Sequence, residues 1–125
     1  MRLRFLAFFL LSAVISAQSS FDSLVNKISS LNNKDQIAEL NKFTWKFRNI
    51  DPRQAIKAAE MSMEISGITG DKRNQTKVLG LLSVIYRDEG EYQKSLELCN
   101  RAYEIANTIN DKEQVAYANN NIATI

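Results

Sequence analysis

Histidine is absent from the 125-residue sequence, and cysteine and proline each occur once. Without histidine, neither a Ser-His-Asp nor a Cys-His catalytic arrangement is possible, and zinc loses one of its commonest ligands. A single cysteine forms neither an internal disulfide nor a thiolate cluster. The sequence also lacks phosphate-binding glycine loops and nucleophile motifs. These absences argue against an enzyme, and we expect no metal ion and no cofactor.

The N-terminal segment differs in composition from the rest of the chain. Two arginines precede an apolar run over residues 5–15 that contains a single serine, and Ala17 ends this run before a polar stretch. These are the three parts of a secretory signal peptide. A membrane-spanning helix needs about 20 apolar residues, so the run is too short to cross a bilayer. We expect residues 1–17 to be a signal peptide that is cleaved after Ala17, which leaves the protein periplasmic or secreted.

The charge of the chain is nearly balanced. Lysine and arginine number 16 and aspartate and glutamate 14, which gives a formal net charge of +2. The two excess positive charges belong to Arg2 and Arg4, inside the expected signal peptide. Basic and acidic residues are interleaved elsewhere, as in Asp71-Lys72-Arg73. A neutral mature chain without a basic stripe is not expected to bind nucleic acid.

Apolar residues recur at helical spacing along the whole mature chain, and no stretch has the alternation of a strand. At the boundary between two of the helices, Asp51 can cap the third helix and Pro52 fits its first position. Connections of two to five residues make neighbouring helices antiparallel. The predicted helices cover about residues 21–31, 35–48, 52–66, 71–88, 91–108 and 111–125.

An internal repeat of forty residues relates these helices to one another. Glu64-Ile65 recurs as Glu104-Ile105, and Asp71-Lys72 recurs as Asp111-Lys112. The same shift superimposes small and apolar residues along complete helices. Repeats of this length are typical of solenoids, in which each unit buries its apolar face only against its neighbours.

Residues 76–109 closely resemble a tetratricopeptide repeat. In that family, helix A carries Trp-x2-Leu-Gly-x2-Tyr, the turn carries Gly-x-Tyr, and helix B carries Ala-x3-Phe-x2-Ala. The matching residues are Leu79, Leu82, Ser83 and Tyr86 on helix A, Gly90 and Tyr92 in the turn, and Ser95, Cys99 and Ala102 on helix B.

The preceding unit fits the same pattern after one residue is removed from its turn, which reads Asn49-Ile50-Asp51-Pro52 and departs from the family. The resemblance implies an all-α, antiparallel helix-hairpin solenoid, a TPR-like superhelix. It divides the mature chain into an N-terminal capping helix, 18–33, and a repeat domain, 34–125, with two full repeats and a partial third. The matching residues of the preceding unit are Leu40, Phe43, Thr44 and Phe47 on helix A and Ala55, Ala59 and Ser62 on helix B.

The resemblance also implies a ligand-binding concave surface that is formed by the A helices. Trp45 beside Arg48 is the most suggestive pair, because tryptophan and arginine dominate binding hot spots. The alternative for Trp45 is packing against the N-terminal helix. The candidate residues for partner binding are Asn41, Lys42, Trp45, Arg48, Leu81, Val84, Arg87, Asn120, Asn121 and Thr124.

Two further sequence features, a single cysteine and a possible glycosylation triplet, have simple interpretations. Cys99 falls on the inner face of helix B, where we expect it to be a small buried residue rather than a reactive thiol. Asn74-Gln75-Thr76 is a triplet that a eukaryotic secretory pathway can glycosylate.

The function expected from these features is an exported, non-catalytic scaffold that binds a protein or peptide. The sequence stops at Ile125 inside the A helix of a third repeat, so we expect either a fragment of a longer protein or self-association through the uncapped end. A fragment would fit an alternative function. The chain would then be the extracytoplasmic sensor part of a membrane histidine kinase or transcriptional regulator, with membrane contact only through a later transmembrane helix.

Overall fold

The computed structural model describes residues 20–125, which form six helices and no strand. Helix α1 covers the described residues 20–28. The expected cleavage site after Ala17 lies outside the described residues, as does the start of the capping helix. The remaining helices are α2, Asn33–Phe47; α3, Pro52–Thr69; α4, Lys72–Asp88; α5, Tyr92–Thr108; and α6, Lys112–Ala123.

Side-chain caps explain where four of the helices begin. In each case the cap oxygen accepts a hydrogen bond from the backbone N–H three residues later, which satisfies a donor that the helix leaves free. Pro52 occupies the first turn of α3, as predicted. The capping residues are Asn32 for α2, Asp51 for α3, Asp71 for α4 and Asp111 for α6.

Several of the predicted helix boundaries were wrong. Helix α1 ends at Ile28 rather than at Leu31. Helix α2 begins at Asn33 rather than near Asp35, because Asn32 caps it instead of ending the previous helix. Helix α3 continues through Gly67 to Thr69. It ends where Gly70 takes the left-handed conformation, with φ of 71°.

Left-handed residues also end the later helices. Gly90 has φ of 82° after α4, and Asn110 has φ of 54° after α5. Asn110 lies forty residues after Gly70 in the sequence, so the repeat keeps the turn conformation while the residue changes. Asparagine is one of the few residues with a side chain that tolerates this conformation.

The helices pack as consecutive antiparallel hairpins, which confirms the all-α helix-hairpin arrangement. Each of α2 to α6 contacts its neighbours in sequence, and α4 also contacts both α2 and α6. Within the described residues, no Cα atoms of α3 and α5 come within 8 Å of each other, although Ala59 of α3 belongs to the same apolar cluster as Leu98 and Ala102 of α5. Helices α2, α4 and α6 therefore form an inner layer, and α3 and α5 form an outer layer that is more widely spaced.

Small buried residues bring the helices of each hairpin close together. Ser83 and Ser95 face each other between α4 and α5, where the Ser95 hydroxyl donates to the Ser83 carbonyl at 2.7 Å. Thr44 has the same role between α2 and α3, since its hydroxyl lies 3.3 Å from the Ala55 carbonyl. Cys99 is fully buried, as predicted for a small core residue.

Helix α1 packs on the first hairpin through its apolar face. Leu24 and Ile28 join the core with Phe43 and Phe47 of α2, and the Phe21 ring meets the Phe43 ring edge-on at 5.5 Å. Over residues 20–125, no helix combines the length and the hydropathy that crossing a bilayer requires.

Candidate functional site

A groove of about 490 Å³ crosses the inner layer from α2 over α4 to α6. Its size falls in the range of small-ligand and peptide pockets. Four of its residues were predicted from the repeat pattern: Asn41, Lys42, Trp45 and Leu81. The other lining residues are Ala38 on α2, Lys77 on α4, and Glu113, Gln114 and Tyr117 on α6.

Trp45 lines the groove with nearly half of its surface exposed, 48%. It does not belong to the core that joins the described part of α1 to α2. The Arg48 guanidinium lies 3.6 Å from the centre of the Trp45 ring and donates to the Trp45 carbonyl. Arg48 is not a lining residue; it holds the indole in position through a cation–π contact.

The C-terminal part of the predicted surface does not form part of the groove. Val84 is buried, and Arg87 donates to the Thr124 hydroxyl at 2.8 Å, which joins the ends of α4 and α6. Asn121 is buried, and Asn120 lines a shallow surface of α6 that adjoins the groove at Glu113, Gln114 and Tyr117. These five residues do not line the groove, and their contact with a partner stays a prediction.

The reason is the oblique path of the groove across the three helices. On α4 the groove reaches Lys77 and Leu81, whereas on α6 it reaches Tyr117, the repeat equivalent of Lys77, and continues one turn further towards the N-terminus. The prediction assigned equivalent repeat positions on each inner helix to the surface and did not include this shift. The forty-residue repeat pairs Lys77 with Tyr117, but Lys77 was not itself predicted, so this pairing did not point to the tyrosine.

Gly80 makes the close approach of α4 and α6 possible. A Cβ atom at this position would lie 2.7 Å from Cε1 of Tyr117 and 3.5 Å from Nδ2 of Asn121. The Tyr117 ring therefore packs directly on the α4 backbone. Glycine carries no side chain that a search for candidate residues would select, so the sequence analysis missed it.

Asn41 is held by a polar cluster beneath the groove. Its Nδ2 donates to Oδ1 of Asn74 at 2.7 Å, and its Oδ1 accepts from the Ser62 hydroxyl at 2.8 Å. Asn74 in turn donates to the hydroxyls of Ser62 and Ser66. Because Asn74 is buried and hydrogen-bonded, the folded protein does not present the Asn74-Gln75-Thr76 triplet for glycosylation.

Ion pairs join α4 to the α6 side of the groove. Arg73 on α4 lies 3.4 Å from the Asp111 carboxylate and also contacts the Glu113 carboxylate. Lys77 makes no ion pair with any residue of the described range 20–125. This side of the groove therefore carries two positive and two negative charges, and the positive charge of Lys77 is the one outside the ion pairs.

A second ion-pair group lies at the α2 edge. Glu39 contacts Lys27 of α1 at 3.0 Å and Lys42 at 3.4 Å. The hydrogen bond from Lys27 and the charges of both lysines lower the pKa of the Glu39 carboxyl. Exposed pairs of this kind contribute little to stability, but this one links α1 to α2 beside the groove.

The groove combines apolar and polar surface. It offers aromatic and aliphatic area from Trp45, Leu81 and Tyr117, with polar and charged groups at its edges. Among residues 20–125, no group of three or more Cys, Asp or Glu side chains is placed to hold a metal ion. Comparison of the chain with protein-family models, with curated proteins and with solved structures yields no match.

Proposed function

We propose that this protein is an exported, non-catalytic tetratricopeptide-type scaffold that binds a protein or peptide in the groove between α2, α4 and α6. The single observation that carries the proposal is Trp45, a half-exposed tryptophan that Arg48 holds at the edge of the groove. Exposed aromatic residues in concave surfaces are typical anchors of protein interfaces.

The repeat architecture supports the same function. The inner helices of a solenoid create an extended concave surface, and a bound segment can follow it across several repeats. Three successive inner helices contribute to this groove, which suits an extended peptide better than a compact metabolite. The neutral charge of the mature chain favours recognition by apolar contact over long-range attraction.

Export is the second part of the proposal and has a direct test. The N-terminal segment has the composition of a signal peptide, and cleavage would leave Gln18 as the first residue. N-terminal sequencing of the protein recovered outside the cytoplasm is expected to begin at Gln18. Exported protein that still begins at Met1 would contradict cleavage.

Peptide binding is tested by selection and by fluorescence. A displayed library of extended peptides is selected against the protein purified after expression with its own N-terminal segment. Trp45 is the only tryptophan, so its emission reports directly on the groove. Selected peptides are expected to shift this emission, and Leu81→Glu, which places a charge in the groove, is expected to weaken binding by about tenfold or more.

The matched control is Ile68→Glu. This change also replaces an aliphatic residue with glutamate, but Ile68 is 79% exposed on α3, in the outer layer. Its binding is expected to equal that of the wild type. Selection that yields no peptide would contradict the function, and equal losses in the two variants would contradict the groove as the site.

A further inference from the structure

The end of the molecule that α5 and α6 form carries a face that is covered in the preceding unit. There, Ile56 and Met63 of α3 are partly buried against an apolar cluster that includes Leu79 and Leu82 of α4. Within residues 20–125, only α4 and α5 contact α6, so no helix covers the equivalent face of α5 and α6. The forty-residue shift places Leu96, Tyr103, Asn119 and Ile122 at the four equivalent positions.

These equivalent side chains are accessible at the surface. Tyr103 is 37% exposed and Asn119 is exposed, whereas Leu79, the equivalent of Asn119, is 1% exposed. Helical spacing extends the face along both helices. We call it the terminal face; besides the four residues above it contains Asn100 and Asn107 of α5 and Val115, Ala116 and Ala123 of α6.

The terminal face contains no charged residue, although 24% of the residues in the chain are charged. Lys112 lies at its rim, beside Val115 and Asn119. A face without charge meets a copy of itself without like-charge repulsion, whereas a partner that is recognised by its charge finds no counter-charge there. Asparagine amides carry both donors and acceptors, so the same amide of two copies can form a pair. The terminal face is therefore complementary to itself.

The opposite end of the molecule does not offer a surface that matches the terminal face. Helix α1 packs its apolar residues Leu24 and Ile28 on the first hairpin and exposes Asp22 and Asn26. Head-to-tail stacking of copies would place the terminal face against this polar helix. Contact between two terminal faces is two-fold symmetric instead, and such an assembly closes at two copies.

Antiparallel packing of two α6 helices suits this face when Asn119 lies at the two-fold axis. Residues equally distant from Asn119 in the sequence then face each other across the contact. Ala116 meets Ile122 of the second copy, and Val115 meets Ala123 of the second copy. Each larger side chain thus faces a small one, which favours close packing of helices. Ala116 also lies between two shallow depressions of the surface, which leaves room for the isoleucine.

We propose that two copies of this chain associate through their terminal faces, with the α6 helices antiparallel and Asn119 at the axis. The association gives each copy the helix that its α5 and α6 lack at this face. It does not rest on the proposed peptide-binding function, because no residue of the terminal face lines the groove.

Sedimentation velocity tests the stoichiometry on the protein purified after expression with its own N-terminal segment. Over about a hundredfold range of protein concentration, we expect a reversible change from monomer to dimer and no larger species. A monomer at every concentration would contradict the proposal. A series of larger species would indicate head-to-tail stacking and would contradict it equally.

Opposite charges at Asn119 test the geometry of the contact. Asn119→Glu and Asn119→Lys each place two like charges at the axis, and each variant alone is expected to dimerise at least about tenfold more weakly than the wild type. An equimolar mixture of the two variants is expected to dimerise again, because glutamate then faces lysine. Asn119 is exposed, so circular dichroism of each variant is expected to show the helix content of the wild type.

The matched control is Asn26→Glu, the same replacement at an exposed position of α1. Its dimerisation is expected to equal that of the wild type. Equal dimerisation of Asn119→Glu and Asn26→Glu would show that the contact lies elsewhere. A mixture of the two Asn119 variants that stays monomeric would show that Asn119 does not lie at the axis.

Discussion

At the scale of the residue, the two seams between successive inner helices use different chemistry. Asn74 closes the seam between α2 and α4 through hydrogen bonds to Asn41, Ser62 and Ser66. Forty residues later Gln114 takes the place of Asn74, but Ala102 and Ala106 replace the two serines. Gln114 instead accepts a single hydrogen bond from the Thr76 hydroxyl at 3.2 Å. The buried side chain of Asn74 therefore makes more hydrogen bonds than the equivalent side chain of Gln114.

This difference predicts that alanine substitutions at the two equivalent positions lower the free energy of unfolding by different amounts. Asn74→Ala removes three hydrogen bonds and leaves Nδ2 of Asn41 without its acceptor, so it is expected to lower the free energy of unfolding by about 2 kcal/mol. Gln114→Ala removes one neutral hydrogen bond at the equivalent position and is expected to lower it by about 1 kcal/mol. Urea denaturation of both variants measures the difference. Equal losses would show that the polar cluster adds nothing to the first seam.

The groove shows how far residue-level prediction reaches. The repeat pattern identified Asn41, Lys42, Trp45 and Leu81, because these positions follow one face of an inner helix. It missed Gly80, whose contribution is the absence of a side chain. It also could not place the α6 residues, because the rotation between repeats depends on packing between helices rather than on helical spacing within one of them.

At the scale of the element, the boundaries of the helices depend on single backbone conformations. Gly67 and Gly70 both lie near the end of α3. Only Gly70 has a positive φ, 71°, while Gly67 lies inside the helix with no atom near a Cβ placed there. Composition cannot distinguish the two glycines, since the difference is in their dihedral angles.

Replacement of these two glycines by alanine is expected to change the free energy of unfolding in opposite directions. Gly67→Ala is expected to raise the free energy of unfolding by about 0.5 to 1 kcal/mol, because alanine favours the helix and restricts the unfolded chain. Gly70→Ala is expected to lower it by about 1 to 2 kcal/mol, because a side chain is strained in the left-handed conformation. Thermal and urea denaturation give both values. A loss of stability in Gly67→Ala would place that glycine outside the helix.

Other features of the elements followed from local chemistry alone. The helix count and the antiparallel order came from apolar spacing and short connections, and both are confirmed. Asp51 and Pro52 specify the start of α3 as the sequence indicates. Asn32 shows the limit, because an asparagine between two apolar runs can end one helix or cap the next, and tertiary packing decides which.

At the scale of the whole molecule, stability is expected to vary along the chain. Helix α4 packs against α2, α3, α5 and α6, whereas α6 packs only against α4 and α5. In a solenoid the stability of each unit depends on its contacts with adjacent units. The centre of the molecule is therefore held from more sides than its C-terminal helix.

Native-state hydrogen exchange tests this gradient. Backbone amides of α4 are expected to exchange only through global unfolding, whereas those of α6 exchange through a local opening of lower free energy. Exchange of both helices is measured over a series of low urea concentrations. If α4 and α6 exchange with the same free energy, the described chain unfolds as one cooperative unit and the nearest-neighbour description is wrong.

The wider spacing of the outer layer has a mechanical consequence. No Cα atoms of α3 and α5 come within 8 Å of each other, and Ala59 of α3 belongs to the same apolar cluster as Leu98 and Ala102 of α5. At the inner layer, the Tyr117 ring lies against the backbone of Gly80. Bending the stack of helices in either direction therefore compresses side chains, and the groove is expected to adapt to a partner more through side-chain rotamers than through movement of whole helices.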